Sequence, residues 1–417
     1  MRIAYIVPYV PNLIRTRPFN LITKLSSQGH EVVVFTLGSG GKDLEDAGKL
    51  KTRCADVHYH EQPAWRSLLN CAIALPGQQP LQSVYSWNAG MARHLVRLLG
   101  TKDVQKRFDV VHIEHLRGSR YGMFLKSKLP DLPLIWDSVD SISHLFRQAS
   151  SHSRSLFGRL ITRFELSRTE RAEGNLICLF DHVLITSVTD KGALLELTPG
   201  GKRSAPISVL PNGVDLDYFQ PDLSVQREPE TLVFSGKMSY HANVSMVKHL
   251  VAEVMPRIWE RRPMVRLIVV GKDPPADVRE FAKNPLITIT GTVDDIRPYL
   301  WKATAAVVPL IYGAGIQNKI LEAMATGTPV LTTSKALSSL SAIAGNDILV
   351  ADTPEDFSLK ALQLMDDTDL QHAIGNAGLQ YVRKEHNWSI IVSDLLDMYR
   401  QAIVVKKQQV DQAKLID

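Results

Sequence analysis

The stretch GAGIQNKILEAMATGTPVLTT, residues 313 to 333, decides the fold. It opens with two glycines around Ala314, continues with a helical apolar stripe of Ile316, Ile320, Ala323 and Met324, and breaks at Gly327 and Pro329 before a short apolar run. Just ahead of it stands AAVVPLI (305–311), an apolar run of strand length. A buried strand, a glycine turn, a helix predicted over 316–325 and a second buried strand are the repeating unit of a parallel sheet covered by helices. The turn then lies at the carboxyl end of its strand, where open α/β sheets bind ligands. A helix start after such a turn offers free N–H groups and a partial positive charge to an anion. Gly313 and Gly315 permit close backbone approach, Lys319 adds a cation in the first turn, and Glu322 follows Asn318 by one turn on the same face. A phosphate at the amides with ribose hydroxyls at the carboxylate suits these residues. A tight turn with a surface glutamate explains them equally well.

Working outward, the same alternation fills the chain. RIAYIVP (2–8), the apolar run after Gly29, FDVVHIEH (108–115), LPLIWDS (132–138), FDHVLITS (180–187) and ISVLPNG (207–213) form one series of strands. ETLVFSG (230–236), VRLIVVG (265–271), LITITG (286–291), AAVVPLI, TPVLTT (328–333) and DILVA (347–351) form a second. The expected fold class is α/β, with two Rossmann-like parallel-sheet domains facing a cleft. The first domain spans 1–213 and the second 230–386. The stretch 214–229, with Pro221, Pro229 and many charges, has linker composition. Residues 387–417 read as terminal helices that pack back on the first domain.

A length of 417 residues suits two cores, and 45% hydrophobic with 22% charged residues supplies them. No apolar run approaches the ~20 residues of a spanning helix, and the start of the chain lacks the order of a signal peptide, so a cytoplasmic location is expected. Cys54, Cys71 and Cys178 are widely spaced and read as buried thiols, with neither a disulfide framework nor a zinc site. A net charge of +5 does not call for nucleic acid and is compatible with anionic small molecules or a lipid surface. Arginines 147, 154, 159, 163, 168 and 171 recur among apolar residues in the segment 143–175. That segment is read either as a solvated helix with Glu165, Glu170 and Glu173 as ion-pair partners, or as a peripheral contact with anionic membrane.

GIQNKILEAMATGTPVLTT resembles the donor-site signature of GT-B glycosyltransferases of family 4, and LPNGVDLDYFQP (210–221) resembles that family's interdomain signature. RIAYIVPYVP, LSSQGHEVVVFT, FDHVLITS, IVVGKDP and ITGTVDDIRPYL match in the same order, so the resemblance covers nearly the whole chain. It implies a retaining, metal-independent hexosyl transfer from a nucleotide diphosphate sugar, the donor substrate, with no cofactor. The acceptor is a glycan or a polyprenyl-linked molecule, in exopolysaccharide or lipopolysaccharide synthesis at the inner face of the membrane.

By the same resemblance, Glu322 holds the ribose, and Gly313, Ala314, Gly315, Ile316, Gln317 and Asn318 present amides to the diphosphate and sugar. Lys237 stands where the family usually has an arginine, Gly236 permits close approach, and Val293 lies near the base. Lys237, Lys319, Glu322 and His115 make up the expected catalytic set. Three departures stand out: Ala314 replaces the first carboxylate of the family pair, Ala242 replaces a lysine, and Asp137 and Asp140 stand near the place of a usual histidine. The spacings Asp215–Asp217 and Asp367–Asp369 read as structural. On the acceptor side, Glu114, His115, Arg117, Arg15 and Arg17 are expected to face the cleft, the basic groups taking an acceptor phosphate. Two other readings are an epimerase-type enzyme of the same fold and an inactive scaffold of a polysaccharide assembly. A nicotinamide oxidoreductase is disfavoured, because no G-x-G-x-x-G follows the first strand.

Overall fold

The computed structural model describes residues 1–101, 103–152, 156–313 and 315–416, without the side chains of 149–152, 156–162 and 413–416. Arg154 and Ala314 lie outside the described residues, as does the arginine side chain at 159. The chain divides into two compact units, one of Met1–Pro211 with Ile391–Asp417 and the other of Asn212–Ile390.

The first unit is built on seven parallel strands in the order β3-β2-β1-β4-β5-β6-β7. They are β1 (Arg2–Val7), β2 (Glu31–Gly38), β3 (Asp56–Glu61), β4 (Val110–Glu114), β5 (Leu134–Val139), β6 (His182–Ile185) and β7 (Ile207–Val209). β1 lies between its neighbours with Ile3 opposite both Val32 and Val110. These strands are apolar on both faces because helices cover both sides, and Tyr5, Phe35 and Trp136 are fully enclosed. β3 was invisible to the apolar-run criterion, since DVHYHE alternates histidine with few aliphatics, and it is the half-buried edge of the sheet. The helix Trp388–Ile416 enters this unit at Ile391, where the hydroxyl of Tyr399 meets Nδ1 of His112 at 2.8 Å and Lys406 donates to Asp181 at 3.2 Å.

The second sheet has six parallel strands in the order β10-β9-β8-β11-β12-β13. They are β8 (Thr231–Ser235), β9 (Arg266–Val270), β10 (Ile287–Ile289), β11 (Ala305–Val308), β12 (Val330–Thr332) and β13 (Leu349–Val350). Phe234, Met246, Leu267 and Val307 lie in its core. Residues 212–229 are held against this unit: Arg227 donates to the carbonyls of Ala303 (2.8 Å) and Gly327 (2.6 Å), and the indole of Trp301 donates to Gln220 O at 2.9 Å. Gly213 is required by packing, because a Cβ there would stand 2.6 Å from the Trp388 ring.

Three expectations are corrected here. The helix after the glycine turn starts at Asn318, two residues later than predicted, because Gly315 is left-handed (φ 72°) and Gln317 is extended at the cap. The three cysteines are half-buried rather than enclosed, each turning its Sγ toward a backbone carbonyl. In the segment 143–175 the expected pair of Arg147 with Glu170 forms at 2.7 Å, but Glu173 is buried and accepts from the amides of Ile142 (2.8 Å) and Ser143 (3.2 Å) instead of pairing with an arginine, and Arg168 is buried and donates to the carbonyls of Leu75 and Gln79.

Candidate active site

In each sheet the strand order reverses once, between β1 and β4 and between β8 and β11. At such a point the connections leave in opposite directions and open a crevice at the carboxyl ends of the strands. In the second unit Gly236, Gly271, Gly291 and Gly313 follow β8, β9, β10 and β11, so a parallel sheet brings all four turns to one edge.

The crevice between β8 and β11 holds the donor-site candidates. Gly236 has φ 153°, and a Cβ there would lie 2.8 Å from Nδ2 of Asn243 and 3.1 Å from Cε of Lys319. The first turn of the helix Asn318–Ala325 has no side chain capping it; the amide of Ile320 donates to Gln317 O at 2.8 Å, and those of Asn318 and Lys319 have no acceptor among the described residues. Lys319 sends Nζ to Oε1 of Gln317 at 3.1 Å and lies over the face of Phe234. Both Lys319 and Glu322 are surrounded by protein yet keep an edge open to solvent. Burial lowers Lys319 to about 8, with the Glu322 carboxylate opposing the shift. Burial raises the Glu322 carboxyl above its ordinary value, and the Lys319 charge offsets this only in part. Among the described residues nothing donates a hydrogen bond to the Glu322 carboxylate.

The other predicted residues fall as follows. Asn318 Oδ1 accepts from Asn212 Nδ2 at 3.3 Å. Gln317 is buried, and Ile316 packs into the core, leaving only its backbone for a ligand. Lys237 is exposed, and its carbonyl accepts from Asn243 Nδ2 at 2.8 Å. Val293 is half-buried after β10, with β9 between that strand and β8. Asp215 accepts from the amides of Asp217 and Tyr218, and Asp367 accepts from Leu370 N, so both acidic pairs serve local turns. Two groups had no motif to reveal them. Oδ1 of Asn243 is buried without a partner, and the hydroxyl of Tyr312 joins His241 (2.8 Å) and Ser245 (3.1 Å), tying the glycine loop to the helix after β8.

The crevice between β1 and β4 belongs to the first unit, so His115 is not brought together with Lys237, Lys319 and Glu322 within one unit. Two expectations are overturned in it. Glu114 points inward, accepting from the hydroxyls of Tyr5 (2.7 Å) and Tyr9 (2.6 Å), and burial raises its carboxyl to about 7. Arg17 is likewise interior, with two hydrogen bonds to Asp137 Oδ2 at 3.0 and 2.8 Å and one to Pro211 O. Burial alone would push Asp137 upward, but the Arg17 guanidinium holds it down at about 2. Arg15 donates to Val10 O at 3.0 Å. Asp140 is raised to about 6 by burial. His115 is left-handed (φ 64°), as is the β-branched Val139 (φ 66°) at the end of β5, a placement that costs of order 1–3 kcal/mol each. Burial lowers His115 to about 4, with Arg117 adding to the shift, so its imidazole is neutral at neutral pH.

Two family models match the chain, "Glycosyltransferase Family 4" over residues 15–218 and "Glycosyl transferases group 1" over 229–367. The chain belongs to the GT-B glycosyltransferases of family 4. A D-inositol 3-phosphate glycosyltransferase from Nocardiopsis dassonvillei is 25% identical over 256 residues, which span 55% of this chain and 58% of that one. Sucrose-phosphate synthase from Thermosynechococcus elongatus has the same fold, with a TM-score of 0.67 at 18% identity over 97% of this chain and 100% of the other. Anabaena HepE, solved in complex with UDP, has a TM-score of 0.68 at 13% identity over 96% and 100%.

Proposed function

We propose that this chain is a retaining glycosyltransferase that moves a hexosyl group from a nucleotide diphosphate sugar to a glycan or lipid-linked acceptor in exopolysaccharide or lipopolysaccharide synthesis. The observation that carries the reading is the crevice between β8 and β11, where an uncapped helix start, a lysine and an unpartnered carboxylate converge, both side chains largely enclosed by protein with one edge open. Each lacks what a nucleotide diphosphate has. The amides of Gly315 to Asn318 and the cations Lys319 and Lys237 take the diphosphate, Ala314 contributing backbone alone. Glu322 accepts from the two ribose hydroxyls. Val293 lies against the base, and the similarity to HepE makes uridine the first base to test. Asn243 turns its free Oδ1 to a donor hydroxyl.

The chemistry asks little else of the protein. As the anomeric C–O bond breaks, its electron pair stays on the leaving phosphate, where the amides and lysines stabilise the developing charge without a metal ion. The acceptor hydroxyl forms the new C–O bond on the same face and passes its proton to a leaving-phosphate oxygen. His115, neutral at working pH, acts as a hydrogen-bonding group rather than a cation.

The test is thermal stabilisation of the protein by UDP-, GDP-, ADP- and dTDP-sugars. A ligand at a hundredfold excess over Kd adds about 2.7 kcal/mol to folded-state stability. One nucleotide class is expected to raise the melting temperature, and transfer from that donor to give a product with the donor's anomeric configuration. A folded protein indifferent to the whole panel removes the reading; an inverted product removes the retaining mechanism.

A further inference from the structure

The helix Ala64–Ala74 is turned inside out. Its inward side is polar: Ser67 is buried and accepts from Gln62 Nε2, Asn70 donates to Trp87 O at 2.9 Å, and Cys71 turns toward Leu81 O. Its outward side is apolar, with Trp65, Leu68, Leu69 and Ile73 at helical spacing and between 51% (Leu69) and 70% (Ile73) exposed. An amphipathic helix of a water-soluble surface has the opposite arrangement. Rotating it to bury the apolar stripe would break the three polar contacts, so the sequence holds the stripe outward.

The patch continues past the helix. Arg168 donates to the carbonyl of Leu75 and lies 3.8 Å from the ring centroid of Phe164, so one guanidinium joins the end of the helix to that ring, and the Leu75 and Phe164 side chains are both exposed. Its border is cationic. Arg66 lies over the Trp65 ring, Arg163 precedes Phe164, and Arg171 donates to Gln78 at 2.5 Å. No Asp or Glu occurs between Glu61 and Asp103 or between Asp140 and Glu165, and Glu165 is itself buried with Leu81 N donating to it. Beside Gln78 opens a groove of about 600 Å³ lined by Met123, Leu176 and Leu179 together with Arg120, Arg171 and Lys202.

We propose that this face seats the protein on an anionic lipid bilayer, the Ala64–Ala74 helix lying in the interface with its apolar stripe among the acyl chains. The arginines meet lipid phosphates, and the groove takes a headgroup with the start of its chain. Trp and Leu on one side with arginines at the border is the composition of an interfacial helix. A second copy of the chain fits less well. The helix offers a strip ~16 Å long and ~10 Å across, small against the roughly 800 Å² each partner buries in a standard stable complex. Among the described residues no helix is long and apolar enough to cross a membrane. This moves the membrane contact from the 143–175 segment as a whole to a neighbouring helix with one edge of that segment, and it holds whatever the donor is.

The test is flotation of the full chain with vesicles of phosphatidylcholine, with and without one third phosphatidylglycerol, for the wild type, the pair Leu68→Gln with Ile73→Gln, and Arg163→Glu. The wild type is expected to float with anionic vesicles and less so in high salt. The apolar pair is expected to lose at least tenfold of that binding, and Arg163→Glu its preference for phosphatidylglycerol. Because these side chains are exposed, melting temperature and nucleotide binding should not change. Equal flotation of the apolar pair overturns the proposal, as does a wild type that ignores both vesicles. A wild-type dimer that the apolar pair splits, with no flotation, also overturns it and assigns the face to contact between copies.

Discussion

The crevice between β1 and β4 is closed by its own side chains. Tyr5 and Tyr9 satisfy Glu114, Arg17 satisfies Asp137, and Tyr399 reaches His112; within this set only Nε2 of His112, 3.6 Å from Asp137, is left over. The crevice between β8 and β11 is left open. Glu322 accepts nothing from the described residues, Oδ1 of Asn243 is orphaned, and Lys319 reaches only the neutral Gln317. A buried polar group without a partner costs about 1–3 kcal/mol. The same topology has thus been used once to store polar groups in satisfied pairs and once to keep them waiting, and the second arrangement is the one a ligand completes.

The contrast can be broken most severely at Asp137. Removing one partner of a buried ion pair strands the other, so Asp137→Ala is expected to lower stability by about 3–5 kcal/mol in urea denaturation. A loss below 1 kcal/mol would mean that the first crevice is as open as the second.

Next in size is the pH dependence of nucleotide binding. Lys319, at about 8 in the free protein, carries its charge below that pH and loses it above. Each further pH unit then requires the ligand to restore a proton, and affinity is expected to fall by up to about tenfold per unit, or 1.4 kcal/mol. Lys319→Arg, which stays charged, should flatten the profile in a titration from pH 7 to 10.

The smallest effect belongs to Glu114. Its carboxyl, raised by burial to about 7, holds a proton in the folded state that the unfolded chain has already lost at pH 6. Stability from this group is therefore present at low pH and lost as pH rises through 7, about 1.4 kcal/mol between pH 6 and 8. Glu114→Gln should remove that slope from melting curves while preserving the fold.

The fold was legible because strands buried on both faces are continuous apolar runs, followed in the second unit by glycine after β8, β9, β10 and β11. β3 escaped because an edge strand needs no such run. Gly236, Lys319 and Glu322 could be read from local spacing, since strand, turn and helix follow one another within a few residues. Asn243 and Tyr312 gave no signal, as their roles arise only where two distant turns meet. Arg17 and Asp137, 120 residues apart, look in sequence like two free loop charges until the sheet places β1 near β5. The outward face of Ala64–Ala74 was hidden for a related reason: helical spacing tells which residues share a face, not which way it points.

The most direct test is calorimetric titration of the wild type and Glu322→Ala with whichever nucleotide gives the largest thermal shift. Two hydrogen bonds to a charged acceptor are worth roughly 1.5–3 kcal/mol each. The variant should therefore bind at least tenfold more weakly, with its unliganded stability unchanged or higher because an unpartnered, largely enclosed carboxylate has gone. Equal affinity in a folded variant would show that Glu322 holds no ribose and that the open crevice is not the donor site.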